Sequence, residues 1–307
     1  VLREVRSQEE AYDRFVPALS IAVALAMAIV SLGLLVYFLQ HIAKSLRVSS
    51  ILQLTRTELD KELRNAYPES FREVGRQSPS YEECERQSRS LRTGYETTLT
   101  APGEGYLRSV NTEKLVECTK DTNIRFVWVC ADIGAHLVCG SPVVRVWSAT
   151  ELSEDLRSEV RDLFVLAPER SIPQDALFGI RQIRDIALRA LSPGINDPST
   201  AEECLHHLKG ALAVLLRRHL PSALHEESGT HYLVRRPDFG AFVDASFAAI
   251  AKAAQGHEGV ETAHVCAVEE LVTLAPSDGF RRVLERHLQT FAASRRQRPE
   301  SRALALQ

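Results

Sequence analysis

No CxxC pair occurs in this sequence of 307 residues, and its six cysteines (Cys84, Cys118, Cys130, Cys139, Cys204 and Cys266) lie far apart. That spacing argues against a disulfide framework and against a zinc site, and it suits reduced thiols in a cytosolic setting. Catalytic signatures are missing too: there is no GxSxG, no HExxH and no P-loop. Charge of one sign is not in excess, with 37 basic against 40 acidic residues and a net charge of −3. Nothing global therefore asks for nucleic acid or an acidic partner. The first residue is Val1 rather than Met, so the gene product is expected to begin upstream.

Charge is absent altogether from Phe15 to Gln40, "FVPALSIAVALAMAIVSLGLLVYFLQ". At ~1.5 Å per residue, a helix of this length exceeds the ~30 Å of a hydrocarbon core. Leu, Val, Ala and Ile occupy every face, which argues against a core helix, and the run is too long for a signal-peptide core. Pro17 falls in the first turn, where its missing N–H costs nothing. Tyr37 and Phe38 lie near the far end, where aromatic rings suit the interface. Arg3, Arg6 and Arg14 before the span balance Lys44, Arg47 and Arg56 after it. The large, cysteine-containing region that follows points to a cytoplasmic C-terminal side. The expected order begins with an extracytoplasmic flank at 1–14 and a transmembrane helix at 15–43.

After the span, Leu52, Leu59 and Leu63 recur at helical spacing among charged residues, which predicts an amphipathic helix ending before Pro68. From about Asn65 to Arg92 the chain is polar and reads as a linker, so 44–92 is expected to be a cytoplasmic helix and linker. Between 93 and 149 the pattern becomes short strands: "YETTLTAP" and "GYLRSV" flank a Pro-Gly-Glu-Gly turn, "IRFVWVCAD" is rich in β-formers, and glycines punctuate "GAHLVCGSPVVRVW". These pieces resemble half of a barrel-sandwich hybrid, the small β fold of lipoyl and biotinyl carriers and of membrane-fusion adaptor proteins. A carrier needs an exposed lysine at a hairpin tip. Lys114 is the one tempting residue, but it lies in the insertion between the two matching pieces, so a structural or docking module is the better expectation.

From 150 to 292 the pattern is helical. Ser148, three residues before Glu151, offers a capping box. "DALFGIRQIRDIALRAL" puts Ile180, Ile183, Ala187, Ala190 and Leu191 on one face, with Arg181–Asp185 and Asp185–Arg189 as i,i+4 pairs on another. Leu205, Leu208, Leu212, Leu215 and Leu216 trace a second long helix to about Leu220. A short strand fits "HYLV", and three further helices should start near Asp238, Gly259 and Ser277. The basic stretch 293–307 is expected to fray.

Between the first two of these helices lies "SPGINDP". Pro193-Gly194 fits the centre of a type II turn in which glycine supplies the positive φ. Asp197 before Pro198 is a strong helix start, with Glu202 and Glu203 near the positive end of the dipole. Asn196 suits a cap, an Asx-turn or an unusual backbone angle. The structural elbow is thus Ser192, Pro193, Gly194 and Pro198.

The stretch "FGIRQIRDIALRALSPGINDPSTAEECLHHL" closely resembles the signature region of a bacterial family of predicted membrane proteins, catalogued as domain of unknown function 2254. "FVPALS…LGLLVYFLQHIAKSL" is similar to the last span of that family's membrane region, and "GYLRSV" with "GSPVVRVW" to its β segment. The resemblance implies several spans near the N-terminus, of which this chain keeps the last, followed by a cytoplasmic domain. It implies a multi-pass protein of the bacterial inner (plasma) membrane. No activity comes with it, and no catalytic roles are carried over.

The fold expected is therefore an α+β membrane protein: the end of a transmembrane region, a small barrel-sandwich-like β module and a mainly α-helical cytoplasmic domain. Two functional readings stand. In one, the protein is a non-enzymatic assembly with regulatory or transport-associated work. It would be homo-oligomeric in the lipid bilayer, with Gly33 and the small residues Ala22, Ala24, Ala26, Ala28 and Ser31 allowing close helix contacts. In the other, an enzyme or sensor binds an anionic small molecule or lipid head group at the elbow through Arg181, Arg184, Asp185, Asn196 and Asp197. No catalytic residue, cofactor or metal ligand is assigned. His206 and His207 are adjacent on a helix and point ~100° apart, unlike a ligand pair.

Overall fold

The computed structural model describes residues 18–45, 48–69, 79–120 and 122–296. The flank 1–14, the start of the expected span at 15–17 and the tail beyond 296 lie outside the described residues. Two compact units divide the chain, Val1–Ile51 and Leu52–Gln307.

The first unit carries α1, Ala18–Ser45. Its stretch Leu19–Phe38 is long and apolar enough to cross a membrane, with mean hydropathy 2.7 and every side chain uncovered. A core helix of a soluble protein would bury one face; Leu19–Phe38 buries none.

The second helix, α2, runs Val48–Ala66 and stops before Pro68, as the spacing predicts. Leu52, Leu59 and Leu63 form its buried stripe. The polar stretch that follows contains a helix that the linker reading missed: α3, Tyr81–Ser88, capped by Ser80, whose hydroxyl accepts the Glu83 N–H. At two turns, with Cys84 and the half-buried Tyr81 inward, α3 is too short to show a hydrophobic period.

The β region follows as β1 (Tyr95–Thr100), β2 (Gly105–Val110), α4 (Thr112–Thr119), β3 (Ile124–Val129), β4 (His136–Leu137), β5 (Pro142–Ser148), α5 (Glu154–Asp162) and β6 (Phe164–Ala167). Although β1 and β2 flank the Pro-Gly-Glu-Gly turn, they do not pair. β1 lies beside β5, and β2 lies between β4 and β6, so the turn carries the chain from one sheet to the other. Ser148 does not cap a helix: it ends β5, paired on both sides with Tyr95 and Ile124. Ser153 does the capping instead, accepting the Leu156 N–H at the start of α5.

Five helices and a hairpin complete the described body: α6 (Ala176–Ala190), α7 (Pro198–Leu215), β7 (Leu224–Glu227), β8 (Thr230–Val234), α8 (Phe239–Ala253), α9 (Glu258–Leu274) and α10 (Asp278–Arg296) come in that order, with α7 ending sooner than expected. The starts of the last three match the expected positions, and Asp238 caps α8 through the Ala241 N–H. The hairpin joins the larger sheet, whose order is β1-β5-β3-β8-β7, with β3 and β8 parallel and every other pair antiparallel. The smaller sheet is β4-β2-β6. Both sheets thus take strands from beyond residue 149, and they share a core that includes Leu107, Val127, Val144, Val146 and Phe164. Tyr232 from β8 closes it, with its hydroxyl 2.5 Å from that of Thr119.

The helical core is separate. Leu52, Leu59 and Leu63 of α2 meet Ile180 and Ile183 of α6, Leu205, Leu208 and Leu212 of α7, and Phe242 and Phe247 of α8. Two arginines give the direction of α2 against α7. Arg56 donates to the His207 carbonyl at 2.7 Å, and Arg218 donates to the carbonyls of Arg64 (3.1 Å) and Tyr67 (2.9 Å). The two helices therefore run the same way. Against α6 the order reverses, since Gly179 packs on Leu59 while the earlier Gln174 backbone lies near the Glu62 carboxylate further along α2.

Candidate functional site

The elbow between α6 and α7 is built from backbone bonds. The Ser192 carbonyl accepts both the Ile195 N–H (3.0 Å) and the Asn196 N–H (2.9 Å), and the Asp197 N–H reaches back to the Ala190 carbonyl (2.8 Å). The Ser192 hydroxyl donates to Arg189 O at 2.7 Å. These bonds make one tight turn after α6 rather than the type II turn expected for Pro193-Gly194. Gly194 is not in the left-handed region; Asn196 is, with φ of 49°. The reversal falls one residue before the capping aspartate, where an Asn tolerates the angle better than most side chains.

Asp197 then opens α7 with Pro198 in the first turn. Its Oδ1 accepts the Thr200 N–H (3.2 Å) and the Ser199 hydroxyl (2.6 Å), and its Oδ2 accepts the Thr200 hydroxyl (2.6 Å). The Ser199 hydroxyl first, then the Thr200 hydroxyl and N–H, hold its carboxyl down to about 2. Three donors at one carboxylate favour its charged form. Ser199 and Thr200 are the residues that sequence reasoning missed here. The Asp-Pro-Ser-Thr run was their available signal, since short hydroxyl side chains just inside a helix can turn back to the cap.

The arginines stand elsewhere. Arg184 binds the neighbouring Asp185 through Nε (2.9 Å) and Nη2 (2.6 Å), so the expected i,i+4 pairs of Asp185 with Arg181 and Arg189 are replaced by a contact between adjacent residues. Both lie on the outer face of α6, and Arg181 is half-buried one turn earlier. Along α6, Arg184 is ~12 Å from Ser192. The candidate residues therefore form two groups: Arg181, Arg184 and Asp185 on the helix, and Asn196 with Asp197 at the corner.

A larger concavity lies elsewhere in the body. A groove of about 890 Å³ is lined by residues that include Tyr81, Arg236, Phe239, Lys252, Arg286 and His287, and by none of the elbow candidates. Its walls come from several separate stretches of chain, so no local motif announces it. Among the described residues no three His, Cys, Asp or Glu side chains are placed to hold a metal ion.

The family model described as predicted membrane protein (DUF2254) matches residues 1–270. The chain belongs to this family. Its curated relatives include the uncharacterized protein Rv1290c of Mycobacterium tuberculosis (strain H37Rv) and the uncharacterized protein Mb1321c of Mycobacterium bovis. Each is 28% identical over 247 residues, covering 77% of this chain and 44% of the relative. The chain thus spans less than half the length of the relatives it matches. No solved structure matches it. Family membership and the bare apolar helix α1 agree on a protein associated with the bilayer.

Proposed function

We propose that this chain is part of a non-enzymatic, homo-oligomeric assembly in the bacterial inner membrane, multi-pass in its full length. Its β and helical body lies on the cytoplasmic side and docks or regulates partner proteins, including those of a transport process. The observation that carries this reading is the use of the elbow's polar groups. Asp197 is occupied by its own helix end and Arg184 by Asp185, so the elbow's charged groups are spent on their own neighbours. Two sheets around one core support a barrel-sandwich-like docking module. Lys114 supports the same view, since it stands on α4 rather than at a hairpin tip, where a carrier lysine would have to be.

A second reading rests on Asn196. It is exposed, its backbone is left-handed, and the bonds that close the corner use its N–H rather than its amide. An anionic small molecule or lipid head group bound at Arg181, Arg184, Asp185, Asn196 and Asp197 would explain its presence. Purification of the full-length protein from native membranes, followed by mass spectrometry of co-purifying proteins and small molecules, separates the two. The assembly reading expects stoichiometric protein partners or a defined oligomer. A single bound anion lost on Asn196→Ala, with the protein monomeric, would replace it with the second reading.

A further inference from the structure

The groove of about 890 Å³ follows the seam between α8 and α10 and is large enough for a small organic molecule. Phe239 meets Phe280 with ring centroids 4.6 Å apart, and Phe247 meets His287 at 5.8 Å, so the two helices run in the same direction. Small side chains open the space: Gly240, Ala248 and Ala251 share one face of α8 and line the groove. From Gly240 to Lys252 that face is ~18 Å long. Its two halves differ in chemistry. Where the helices begin, the walls are Pro237, Phe239, Phe280 and Val283; further along stand Lys252, Gln255 and Arg286.

The acids of this groove are mostly spent. Asp238 caps α8 through the Ala241 N–H at 2.7 Å. Glu82 is held below the usual carboxylate range by its own backbone N–H first, then by the Ser80 hydroxyl. Asp244 stands near His287, whose ring burial keeps neutral. The cations are not spent. Among the described residues no hydrogen bond or ion pair engages the head groups of Arg236, Lys252 or Arg286, all three of which line the groove. Three unengaged cations against Asp244 leave it positive. With Phe247 level with His287, Lys252 lies six residues, or ~9 Å, further along the seam than Arg286. Two long, exposed side chains close that gap around one anion, with the guanidinium able to grip two oxygens at once.

We propose that this groove binds an amphiphilic anion, with its carboxylate or phosphate between Lys252 and Arg286 and its apolar chain along Phe239 and Phe280. Charge complementarity selects the head, and the apolar half of the groove selects the chain. Such a molecule comes from two sources, a free fatty acid or a membrane phospholipid. None of the elbow residues lines the groove, so the proposal stands or falls apart from both readings of the elbow.

The test uses the full chain in dodecyl maltoside, a detergent with an uncharged head group. Palmitate and dioleoyl phosphatidylglycerol are added in separate titrations, and bound copies are counted by native mass spectrometry. The parent should keep one copy, and whether it keeps the fatty acid or the phospholipid identifies the source. Lys252→Glu with Arg286→Glu reverses the charge, and Ala248→Trp fills the space. All three positions are exposed, so both proteins should fold, as circular dichroism checks. Each should weaken retention about tenfold or more. Arg282→Glu, on α10 but outside the groove, should leave retention unchanged. If a charge-reversed protein fails to fold, Lys252→Gln with Arg286→Gln replaces it. No copy on the parent, or equal retention by the groove variants and the control, would overturn the proposal. Retention only by a chain ending at Arg296 would give the groove to residues 297–307 and overturn it as well.

Discussion

His264 and His287 face each other Nε2 to Nε2 at 3.0 Å inside the helical core, one from α9 and one from α10. Phe247 and Phe291 pack around His264, and Phe247 also lies against His287. Such a contact needs one ring nitrogen as N–H donor and the other as lone-pair acceptor, so it is lost once both rings are protonated. His264 Nδ1 is buried with no hydrogen-bond partner among the described residues, so the Nε2–Nε2 contact is the polar contact of this ring. Burial first, and then the neighbouring His287, push the His264 pKa down from 6.5 to about 3. Burial also lowers His287, against the partial pull of Asp244 on the same side.

Acid should therefore unfold the helical part well before carboxylates titrate. Below a pH of 6.5 the unfolded chain takes up protons that the folded pair refuses. Stability is fully present above that pH and falls as pH drops toward about 3, by about 1.4 kcal/mol per pH unit for His264, with His287 acting in the same direction. Urea unfolding of the detergent-solubilised chain, followed by circular dichroism from about pH 8 to about pH 5, measures this slope. Replacing both residues by leucine should reduce the slope, leaving the share of His207 and His225, which burial also lowers; an unchanged slope after that replacement would remove the pair as the cause.

Asn196 offers a direct choice between backbone and side chain. A left-handed φ costs a residue with a β-carbon about 1–2 kcal/mol, less for Asn and nothing for Gly. Asn196→Ala should thus lose about 1 kcal/mol, and Asn196→Gly should stay within ~0.5 kcal/mol of the parent in the same denaturation assay. If the glycine protein keeps its stability yet loses a co-purifying partner or ligand, the amide itself is functional.

At Asp197 the charge matters less than the oxygen. Asp197→Ala removes the acceptor for Ser199 and both Thr200 donors and should lower the melting temperature clearly. Asp197→Asn keeps a good cap and should restore most of the loss at neutral pH. The parent should hold its advantage above the ordinary carboxylate range and lose it only as pH falls toward about 2. Equal melting temperatures for the alanine and parent proteins would show that α7 does not depend on this cap.

Much of this architecture is legible in the sequence because it is local. The uncharged run Phe15–Gln40, the stripe Leu52-Leu59-Leu63 and the starts at Asp197 and Asp238 each carry their signal within a few residues, and those elements stand where expected. What escaped is decided by distant partners. Nothing in "TLTAPGEGYL" says that β1 and β2 belong to different sheets, because their partners lie in β5 and β6. The hairpin β7–β8 joins a sheet built 100 residues earlier, and only the parallel pairing of Phe126 with His231 reveals it. At the elbow, Pro-Gly taken alone favours a type II turn. The competing bonds to the Ser192 carbonyl move the left-handed residue to Asn196. Arg184 reaches its neighbour Asp185, a contact that i,i+4 spacing does not announce.

The joint between the β region and the helical core can be tested at Gly134, in the loop between β3 and β4. Its φ of 80° is left-handed, and its N–H bonds the Leu107 carbonyl at 2.8 Å. A β-carbon there would stand 2.2 Å from Asp175 Oδ2 and 2.6 Å from Arg170 Nη2. Those two atoms are themselves paired at 2.5 Å, while the other oxygen of Asp175 caps α6 through the Phe178 N–H at 3.1 Å. Gly134→Ala must therefore push the Arg170–Asp175 pair aside as well as strain its own backbone. Asp175→Ala, which removes a buried partner and a cap together, should cost about 3 kcal/mol, and Gly134→Ala about 2–3 kcal/mol. Because both changes spoil one contact, the double substitution should cost less than the sum. A double-mutant cycle by urea unfolding measures the difference. Strict additivity would mean that the β region and α6 are not coupled through this pair.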